Sequence, residues 1–203
     1  MNQKERMLAE LPYKAWEARL KEERIANKLR CQEYNELPAD DFKRKDELIR
    51  QILGKVGKDV WIESPFYCDY GYNIEVGDNF YTNFNCTILD VGKVIIGDNV
   101  MLAPNVAIYT AGHPIHPDSR NSGYEYGISI TIGNNVWIGG NTVVNPGVNI
   151  GDNAVIGAGS VVTKDIPANV IAVGVPCRVI REITEADRKY YYKDREFDVE
   201  DYK

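Results

Sequence analysis

The 203-residue sequence contains only two histidines, and its four cysteines are scattered without a CxxC spacing. This pattern indicates neither a zinc ribbon nor a disulfide framework, so we expect four small buried thiols in a reducing compartment. No run of 18 apolar residues occurs, and the first ten residues lack the apolar core of a signal peptide. We therefore expect a soluble, cytoplasmic protein without a membrane partner.

The motifs of several common enzyme classes are also missing. The sequence has no GxGxxG following a strand, no Walker A lysine, no GxSxG turn and no HExxH. The formal net charge of −6 argues against nucleic-acid binding. Basic side chains are scarce in residues 60–183, which carry 5 basic and 11 acidic groups. Three of these five, Lys164, Arg178 and Arg181, lie near the end of the region, where we expect an anionic ligand.

What the sequence does contain is an aliphatic residue at every sixth position. The positions are Ile96, Leu102, Ile108, Ile132, Ile138, Val144, Ile150, Ile156 and Val162. A helix repeats near 3.6 residues and a strand at 2, whereas hexapeptide repeats are typical of a parallel β-helix. Three hexapeptides make one coil, so Ile132 should stack on Ile150, Ile138 on Ile156 and Val144 on Val162. A β-sandwich rich in short strands is the alternative.

Helices are expected on both sides of the repeats. The apolar residues at helical spacing are Trp16, Leu20, Ile25 and Leu29 in a second helix and Phe42, Leu48, Ile49, Ile52 and Leu53 in a third. Residues 3–54 either only cover the open end of the β-helix or also contact substrate. At the other end, Thr184 and Asp187 have the spacing of a capping box, so a short helix should begin at Thr184 and carry the tyrosine-rich tail.

Both histidines, His113 and His116, lie between Ile108 and Ile132, where a proline- and glycine-rich stretch interrupts the six-residue repeat. Such a stretch predicts a loop that leaves the coil. Histidine suits general-base work because its unperturbed pKa of about 6.5 leaves it neutral yet easily protonated. The alternative is a loop histidine whose ring is satisfied by the backbone. An HxxH pair could also bind zinc, but a third histidine is missing, so no metal is predicted. A histidine without metal or nucleophile suggests that a substrate hydroxyl, once deprotonated, attacks an activated acyl group.

Four stretches carry a specific resemblance to a known family. They read NFYTNFNCTILD, IGDNVMLAPNVAIYTAGHPIHP, TIGNNVWIGGNTVVNPGVNIGDNAVIGAGSVVTKDIPANV and GVPCRVIREI. They resemble the maltose and galactoside O-acetyltransferases of the hexapeptide-repeat acyltransferase superfamily. The resemblance implies a homotrimer that transfers acetyl from acetyl-CoA to a sugar hydroxyl at sites between subunits, without a metal.

The resemblance also implies an architecture. We expect a left-handed parallel β-helix of hexapeptide repeats with an N-terminal helical segment, an excursion loop and a short C-terminal helix. The expected limits are residues 1–58 for the helical cap, 59–183 for the β-helix with its loop at 111–129, and 184–203 for the C-terminal helix and tail.

Individual roles follow from the resemblance as well. His113 matches the general base of the family. The acceptor-binding positions are Arg24, Asp69, Tyr81, Asn83 and Glu125. The positions expected to contact CoA are Trp137, Gly140, Ala158, Thr163, Lys164, Arg178 and Arg181. Trp137 would line the pantetheine tunnel, and the N–H of Gly140 would be a candidate oxyanion donor. For the polar residues of YTNFN, a structural role in corner turns and asparagine stacking is the alternative.

The chain departs from the galactoside type at two positions. Ala15 stands where that type has Asp, and Asp69 stands where it has Ser, which brings the chain nearer the maltose type. We therefore expect a glucose- or maltose-like acceptor. Acetylation of an antibiotic hydroxyl or of serine is the alternative among enzymes, and a ligand-binding β-helix scaffold is the non-enzymatic alternative.

Overall fold

Helices are few in the computed structural model, which describes residues 1–199 and 201. They are α1 (Gln3–Leu8), α2 (Ala18–Glu36), α3 (Phe42–Ile52) and α4 (Pro117–Asn121). None of the helices in these described residues has both the length and the apolar character that a membrane span requires.

The strands are short and follow one another at turns. They are β1 (Lys55–Val56), β2 (Trp61–Ile62), β3 (Phe66–Cys68), β4 (Ile74–Val76), β5 (Tyr81–Thr82), β6 (Cys86–Leu89), β7 (Val94–Ile96), β8 (Met101–Leu102), β9 (Ala107–Tyr109), β10 (Ala111–Gly112), β11 (Tyr126–Gly127), β12 (Ile130–Ile132), β13 (Trp137–Ile138), β14 (Val143–Val144), β15 (Asn149–Ile150), β16 (Val155–Ile156), β17 (Val161–Val162), β18 (Val170–Val173), β19 (Arg178–Glu182), β20 (Tyr190–Tyr192) and β21 (Arg195–Glu196).

Three sheets form the faces of a prism. The first face has the order β1-β4-β7-β12-β15, the second β2-β5-β8-β13-β16-β18-β19, and the third β3-β6-β9-β14-β17. From β1 to β17, apart from β10 and β11, successive strands pass from the first face to the second and then to the third. Pairing between successive coils is parallel on all three faces. This confirms the predicted parallel β-helix and rules out the β-sandwich.

The strand register confirms the predicted stacking of the aliphatic residues that recur at every sixth position, which we call rungs. The aligned pairs are Ile132 with Ile150, Ile138 with Ile156 and Val144 with Val162. All six side chains are at most 2% exposed. Burial of each Ile or Val contributes roughly 1.5–3 kcal/mol of transfer free energy, so the rungs make the coils a rigid support.

Asparagines at the corners explain the polar residues between rungs. Asn99, Asn135 and Asn153 have φ of 56°, 57° and 60°, a left-handed conformation that asparagine tolerates better than most residues. Their side chains also bond to one another: Asn99 donates to Asn135 at 3.0 Å, and Asn135 to Asn153 at 2.9 Å. Asn85, with φ of 60°, is a corner residue of the same kind, as the structural alternative predicted.

The N-terminal helices pack on the first coil and share its core, to which Leu48, Ile49 and Ile52 of α3 belong. Of the apolar face predicted for the second helix, only Leu20 is buried, and the other three residues are exposed. Trp16 precedes α2, and Ile25 and Leu29 are 49% and 61% exposed. The residues of α2 that are buried are Leu20, Asn27, Cys31 and Tyr34. The helix packs against β3, and the side that carries Ile25 and Leu29 is left exposed.

Two smaller expectations concern Phe42 and the four cysteines. Phe42, assigned to the buried face of the third helix, is 61% exposed because it lies at the helix start, where its ring contacts Trp61 at a centroid distance of 5.2 Å. The prediction of four buried thiols is confirmed, since Cys31, Cys68, Cys86 and Cys177 are all buried and free.

The stretch that interrupts the six-residue repeat is an ordered excursion. It leaves the third face after β9, and β10 and β11 pair antiparallel across its base. Its tip carries α4, whose N-cap is His116. A second, smaller core joins Tyr13 and Leu20 of the N-terminal segment to Tyr70 and Val91 of the coils, and Ala111 of the excursion packs against it.

The C-terminal segment departs from the prediction. The capping box of Thr184 and Asp187 is present, but the helix that it begins is a short 3₁₀ turn, Glu185–Lys189. The helix ends there, and Tyr190, Tyr191 and Tyr192 form β20, which pairs with β21 in a hairpin. Residues 200, 202 and 203 of the predicted tail lie outside the described residues.

Candidate active site

His113 lies at a cavity of about 290 Å³ where the excursion meets the N-terminal segment. The lining residues are Ala15, Trp16, Arg24, Lys28, Asp69, Leu89, Val91, Ala111, His113 and Glu125. Four residues predicted from the sequence, His113, Arg24, Asp69 and Glu125, are thus brought together from α2, the turn after β3 and the two arms of the excursion. A cavity of this kind, with a histidine and two carboxylates, can bind a polyhydroxylated molecule and accept a proton from it.

The carboxylate of Glu125 is held by Tyr13. The Tyr13 hydroxyl donates a short hydrogen bond to Oε1 of Glu125. The two backbones also form a bridge, with Tyr13 N–H donating to Glu125 O at 2.9 Å and Glu125 N–H donating to Tyr13 O at 3.0 Å. Burial, reinforced by the Glu125 carboxylate, raises the pKa of Tyr13 far above its ordinary value. Tyr13 therefore stays a donor that fixes the position of Glu125 in the cavity.

The guanidinium of Arg24 is also fixed by neighbours. Its Nη1 donates to the carbonyl of Ala15 at 3.1 Å and to the hydroxyl of Tyr70 at 2.9 Å. Its Cζ lies 5.4 Å from the ring centre of Trp16 and 5.8 Å from that of Tyr70. Burial raises the pKa of Tyr70 to about 12, although the Arg24 charge opposes the shift. Arg24 therefore supports one wall of the cavity as well as facing its interior.

Asp69 is positioned from behind by a buried carboxylate. Oδ1 of Asp90 accepts the backbone N–H groups of Asp69 and Tyr70, both at 2.9 Å. Burial raises the pKa of Asp90 to about 7, although these two N–H groups oppose the shift. The second oxygen, Oδ2, is buried with no hydrogen-bond partner within the described part of the chain. In front, the side chain of Asp69 pairs with Lys28 Nζ at 3.5 Å.

The two histidines have different environments. His116 caps α4, because its Nδ1 accepts the N–H of Asp118 at 3.2 Å. His113 is exposed at the cavity. No group of three or more potential metal ligands occurs among the residues that the structure describes.

A second set of predicted residues lies elsewhere on the chain. Tyr81 and Trp137 occupy equivalent positions on the second face, each aligned with Met101 between them. Asn83 and Gly140 lie at the corner that follows this face, where the Asn83 amide oxygen accepts the N–H of Phe84 at 2.7 Å. Ala158 continues this corner, because the N–H of Gly159 bonds to the carbonyl of Gly140. None of these residues lines the His113 cavity of the same chain.

The basic residues predicted to bind an anion lie at the last coils. Thr163 and Lys164 are exposed directly after β17, and Arg178 and Arg181 lie on β19. The guanidinium of Arg181 is paired with the Asp187 carboxylate, with N···O distances of 2.6 and 2.8 Å, which lowers the pKa of Asp187 to about 2. This ion pair attaches the 3₁₀ turn to β19.

Several residues of the cavity were not predicted as contacts. The sequence offers no signal that joins Tyr13 to Glu125, which lie 112 positions apart. The helical spacing predicts Trp16 on an apolar helix face, and nothing in the sequence singles out Lys28. The resemblance did mark Ala15, but only as a departure. Residues of this kind are found only once the excursion is seen to fold onto the N-terminal segment.

Comparison with known proteins gives two family matches. Residues 6–57 match the maltose acetyltransferase hexapeptide capping motif, and residues 129–164 match six repeats of the bacterial transferase hexapeptide.

Individual relatives cover most of the chain. A galactoside O-acetyltransferase of Escherichia coli K12 is 54% identical over 175 residues, which is 86% of each chain. A crystal structure of a maltose O-acetyltransferase from Clostridium difficile 630 is 54% identical, covers 91% of this chain and 99% of its own, and superposes with a TM-score of 0.90. A galactoside acetyltransferase in complex with coenzyme A is 49% identical, covers 98% and 100%, and superposes with a TM-score of 0.95.

Proposed function

Because this chain belongs to the maltose and galactoside O-acetyltransferase family of hexapeptide-repeat transferases, we propose that His113 is its general base and that a glucose- or maltose-like sugar is its acceptor. The chain is an acetyl-CoA-dependent acetyltransferase that acetylates sugar hydroxyls. The observation that carries the finer assignment is the cavity itself, which His113 lines together with the carboxylates of Asp69 and Glu125.

In the proposed reaction the acceptor itself is the nucleophile. A sugar hydroxyl in the cavity gives its proton to the His113 ring while its oxygen bonds to the carbonyl carbon of the thioester. When the carbon–sulfur bond breaks, the protonated His113 returns that proton to the leaving thiolate. Asp69, Glu125 and Arg24 would hold the remaining hydroxyl groups, so that the reacting oxygen lies close to His113.

The oxyanion of the tetrahedral intermediate needs a donor, for which we propose the N–H of Gly140. The structure supports this choice because, among the described residues, the Gly140 N–H makes no backbone hydrogen bond, while its carbonyl accepts the N–H of Gly159 at 2.8 Å. An unoccupied N–H at a rigid corner costs no reorganisation when charge develops.

We propose that the functional unit is a homotrimer with sites between subunits. The acceptor residues Tyr81 and Asn83 and the donor Gly140 lie on the second face and its corner, whereas the cavity lies beside the excursion that leaves the third face. One chain therefore carries two incomplete halves of a site. Closed cyclic symmetry lets each chain supply one half to each of two neighbours.

The CoA end of the site would be formed by the last coils. We propose that Lys164 and Arg178 contact the phosphates of CoA, because they are exposed cations in a region otherwise poor in basic side chains. Trp137, half exposed on the second face, would lie along the pantetheine arm. Ala158, Thr163 and Arg181 complete the proposed CoA contacts. A cytoplasmic location, where acetyl-CoA is available, is part of the same proposal.

For the acceptor, one galactoside O-acetyltransferase and one maltose O-acetyltransferase are each 54% identical to the chain, so identity does not choose between the two types. We favour a glucose- or maltose-like acceptor because Ala15 and Asp69 both line the cavity, and these are the positions at which the sequence departs from the galactoside type.

Thiol release from acetyl-CoA, measured across glucose, maltose, galactosides, chloramphenicol and serine, tests the acceptor class. We expect the highest kcat/KM with glucose or maltose. A higher kcat/KM with chloramphenicol or serine would mean that an antibiotic or serine, and not a sugar, is the acceptor. Absence of thiol release with every compound would favour a ligand-binding scaffold.

A further inference from the structure

Trp16 is the most exposed tryptophan of the chain, and it lies at the acceptor cavity. It is 76% exposed, compared with 50% for Trp137, while Trp61 is partly buried. Trp16 also lines the cavity that contains His113 and Glu125. A large apolar ring beside convergent polar groups is typical of a ligand-binding surface rather than of a folding core.

The backbone that carries Trp16 is held on both sides. Before it, Tyr13 forms the two-bond bridge to Glu125 of the excursion. After it, the carboxylate of Glu17 accepts the N–H of Leu20 at 3.2 Å and so caps α2. The Glu17 N–H in turn donates to the carbonyl of Lys14 at 3.2 Å. The backbone of this turn is therefore held in place by hydrogen bonds on both sides of Trp16.

The ring itself is supported by Arg24. The guanidinium lies over it at 5.4 Å and is anchored by the Ala15 carbonyl and the Tyr70 hydroxyl. A cation at this distance attracts the face of an aromatic ring. The supported indole keeps most of its surface open to solvent at the margin of the cavity.

The part of the site that one chain supplies around His113 is small. Its volume of about 290 Å³ is at the lower end of the range for ligand pockets, roughly 300–1,000 Å³. We infer that one sugar ring fills it while its reacting hydroxyl meets His113. A second ring attached to the first must then extend past the margin, where the open indole lies.

We propose that Trp16 is a specificity residue that stacks on the second ring of the acceptor, so that disaccharides and glycosides with a ring-shaped aglycone are preferred over monosaccharides. This rests on the proposed function of the cavity. The carbon-bound hydrogens on one side of a sugar ring form an apolar patch that matches an aromatic face, and an aglycone ring can stack in the same way.

Steady-state rates with saturating acetyl-CoA test this proposal in wild type, Trp16→Ala and Trp16→Phe. Stacking contacts of about 0.5–1.5 kcal/mol correspond to roughly 2- to 10-fold in affinity. We expect Trp16→Ala to lower kcat/KM for maltose by roughly that factor more than for glucose. The loss should appear in KM for maltose, and Trp16→Phe should restore most of it because a phenyl ring still stacks.

Phe42→Ala is the matched control, because Phe42 is a similarly exposed aromatic residue that packs on Trp61 and does not line the cavity. It should leave the maltose-to-glucose ratio of kcat/KM unchanged. An equal effect of Trp16→Ala on both sugars, or none on either, would overturn the stacking role while sugar acetylation stands. Absence of thiol release by the wild type with every sugar would overturn the proposed function and the stacking role with it.

Discussion

The interior of the coils is largely apolar, whereas ionisable side chains line much of the cavity. Along the coils, Ile138 and Val144 are fully buried, carry no ionisable group and align with a partner in the next coil. At the cavity, His113, Arg24 and Glu125 come from segments outside the repeat. Behind it, the carboxyl group of Asp90 is buried, and one of its oxygens has no hydrogen-bond partner within the described part of the chain. The coils obtain stability from apolar burial, and the cavity retains polar groups that burial alone would disfavour.

This difference between the coils and the cavity predicts which substitutions should lower activity and which should lower stability. A rung contributes to stability and only indirectly to the position of the excursion. A cavity residue contributes to binding or proton transfer, and its loss should leave the coils folded. The variants below test this separation, in order of decreasing expected effect.

His113→Ala should show the largest loss, a kcat lower by roughly 10²–10⁴-fold, because a general base contributes about that much. Its thermal midpoint should match the wild type, since His113 is exposed. His116→Ala is the control, because His116 caps α4 and does not line the cavity. Turnover by His113→Ala close to that of His116→Ala would remove His113 from the reaction.

Ile138→Ala should show the opposite pattern. Truncation of a fully buried isoleucine costs about 2–5 kcal/mol in the free energy of unfolding, so urea unfolding should occur at a clearly lower midpoint. The folded fraction should keep its kcat at a temperature well below that midpoint. If kcat falls more than tenfold in protein shown by circular dichroism to be folded, the rungs are not merely a support.

Asp90→Asn should change how stability depends on pH. The folded pKa is about 7 against an ordinary value of 3.8, so the folded chain keeps this proton over a range in which the unfolded chain has lost it. The stability associated with the protonated form is complete below about pH 4 and is lost as the pH rises to about 7.

The difference of about three pKa units corresponds to an upper limit of roughly 4 kcal/mol, at 1.4 kcal/mol per unit. Asparagine keeps an oxygen for the N–H groups of Asp69 and Tyr70 but carries no charge. Thermal midpoints of wild type and variant, measured from pH 4 to 8, should therefore diverge in favour of the variant as the pH rises. Parallel curves would mean that Asp90 is not the group that titrates.

Asn135→Ala should have the smallest effect of the set. Alanine in the left-handed conformation costs roughly 1–2 kcal/mol, and the variant also loses the side-chain bonds to Asn99 and Asn153. Asn135→Gly separates the two causes, because glycine adopts this conformation without strain but makes no side-chain bond. The urea midpoint of the glycine variant should lie between those of alanine and wild type, with kcat unchanged in both. Equal midpoints for glycine and alanine would show that backbone strain contributes nothing at this corner.

The period of six predicts the coils well, because one physical requirement, an aliphatic residue in the bore at each strand, recurs in every repeat. Ile132 and Ile150 align as their spacing indicates. The handedness of the coil, by contrast, cannot be predicted from the period of six. Aliphatic spacing is the same for either hand, so the left-handed expectation came from the family resemblance alone.

The N-terminal and C-terminal segments were predicted less well, because helical spacing alone does not say which stripe faces a neighbour. Ile25 and Leu29 fit an apolar face but are exposed, and Asn27 and Cys31 are buried instead. In the cavity, the resemblance indicated Arg24, Asp69 and Glu125. Tyr13 and Trp16 required the fold, since their contacts join distant segments.

Subunit sharing is the central claim, and hybrid trimers test it most directly. His113→Ala and Asn83→Ala chains, carrying different affinity tags, would be co-expressed, and trimers containing both would be purified and assayed for acetyl transfer to maltose. If His113 and Asn83 serve one site from neighbouring chains, each hybrid ring contains one intact site of three, so about one third of wild-type activity should return. Activity no higher than that of the two parent variants would show that each site lies within a single chain.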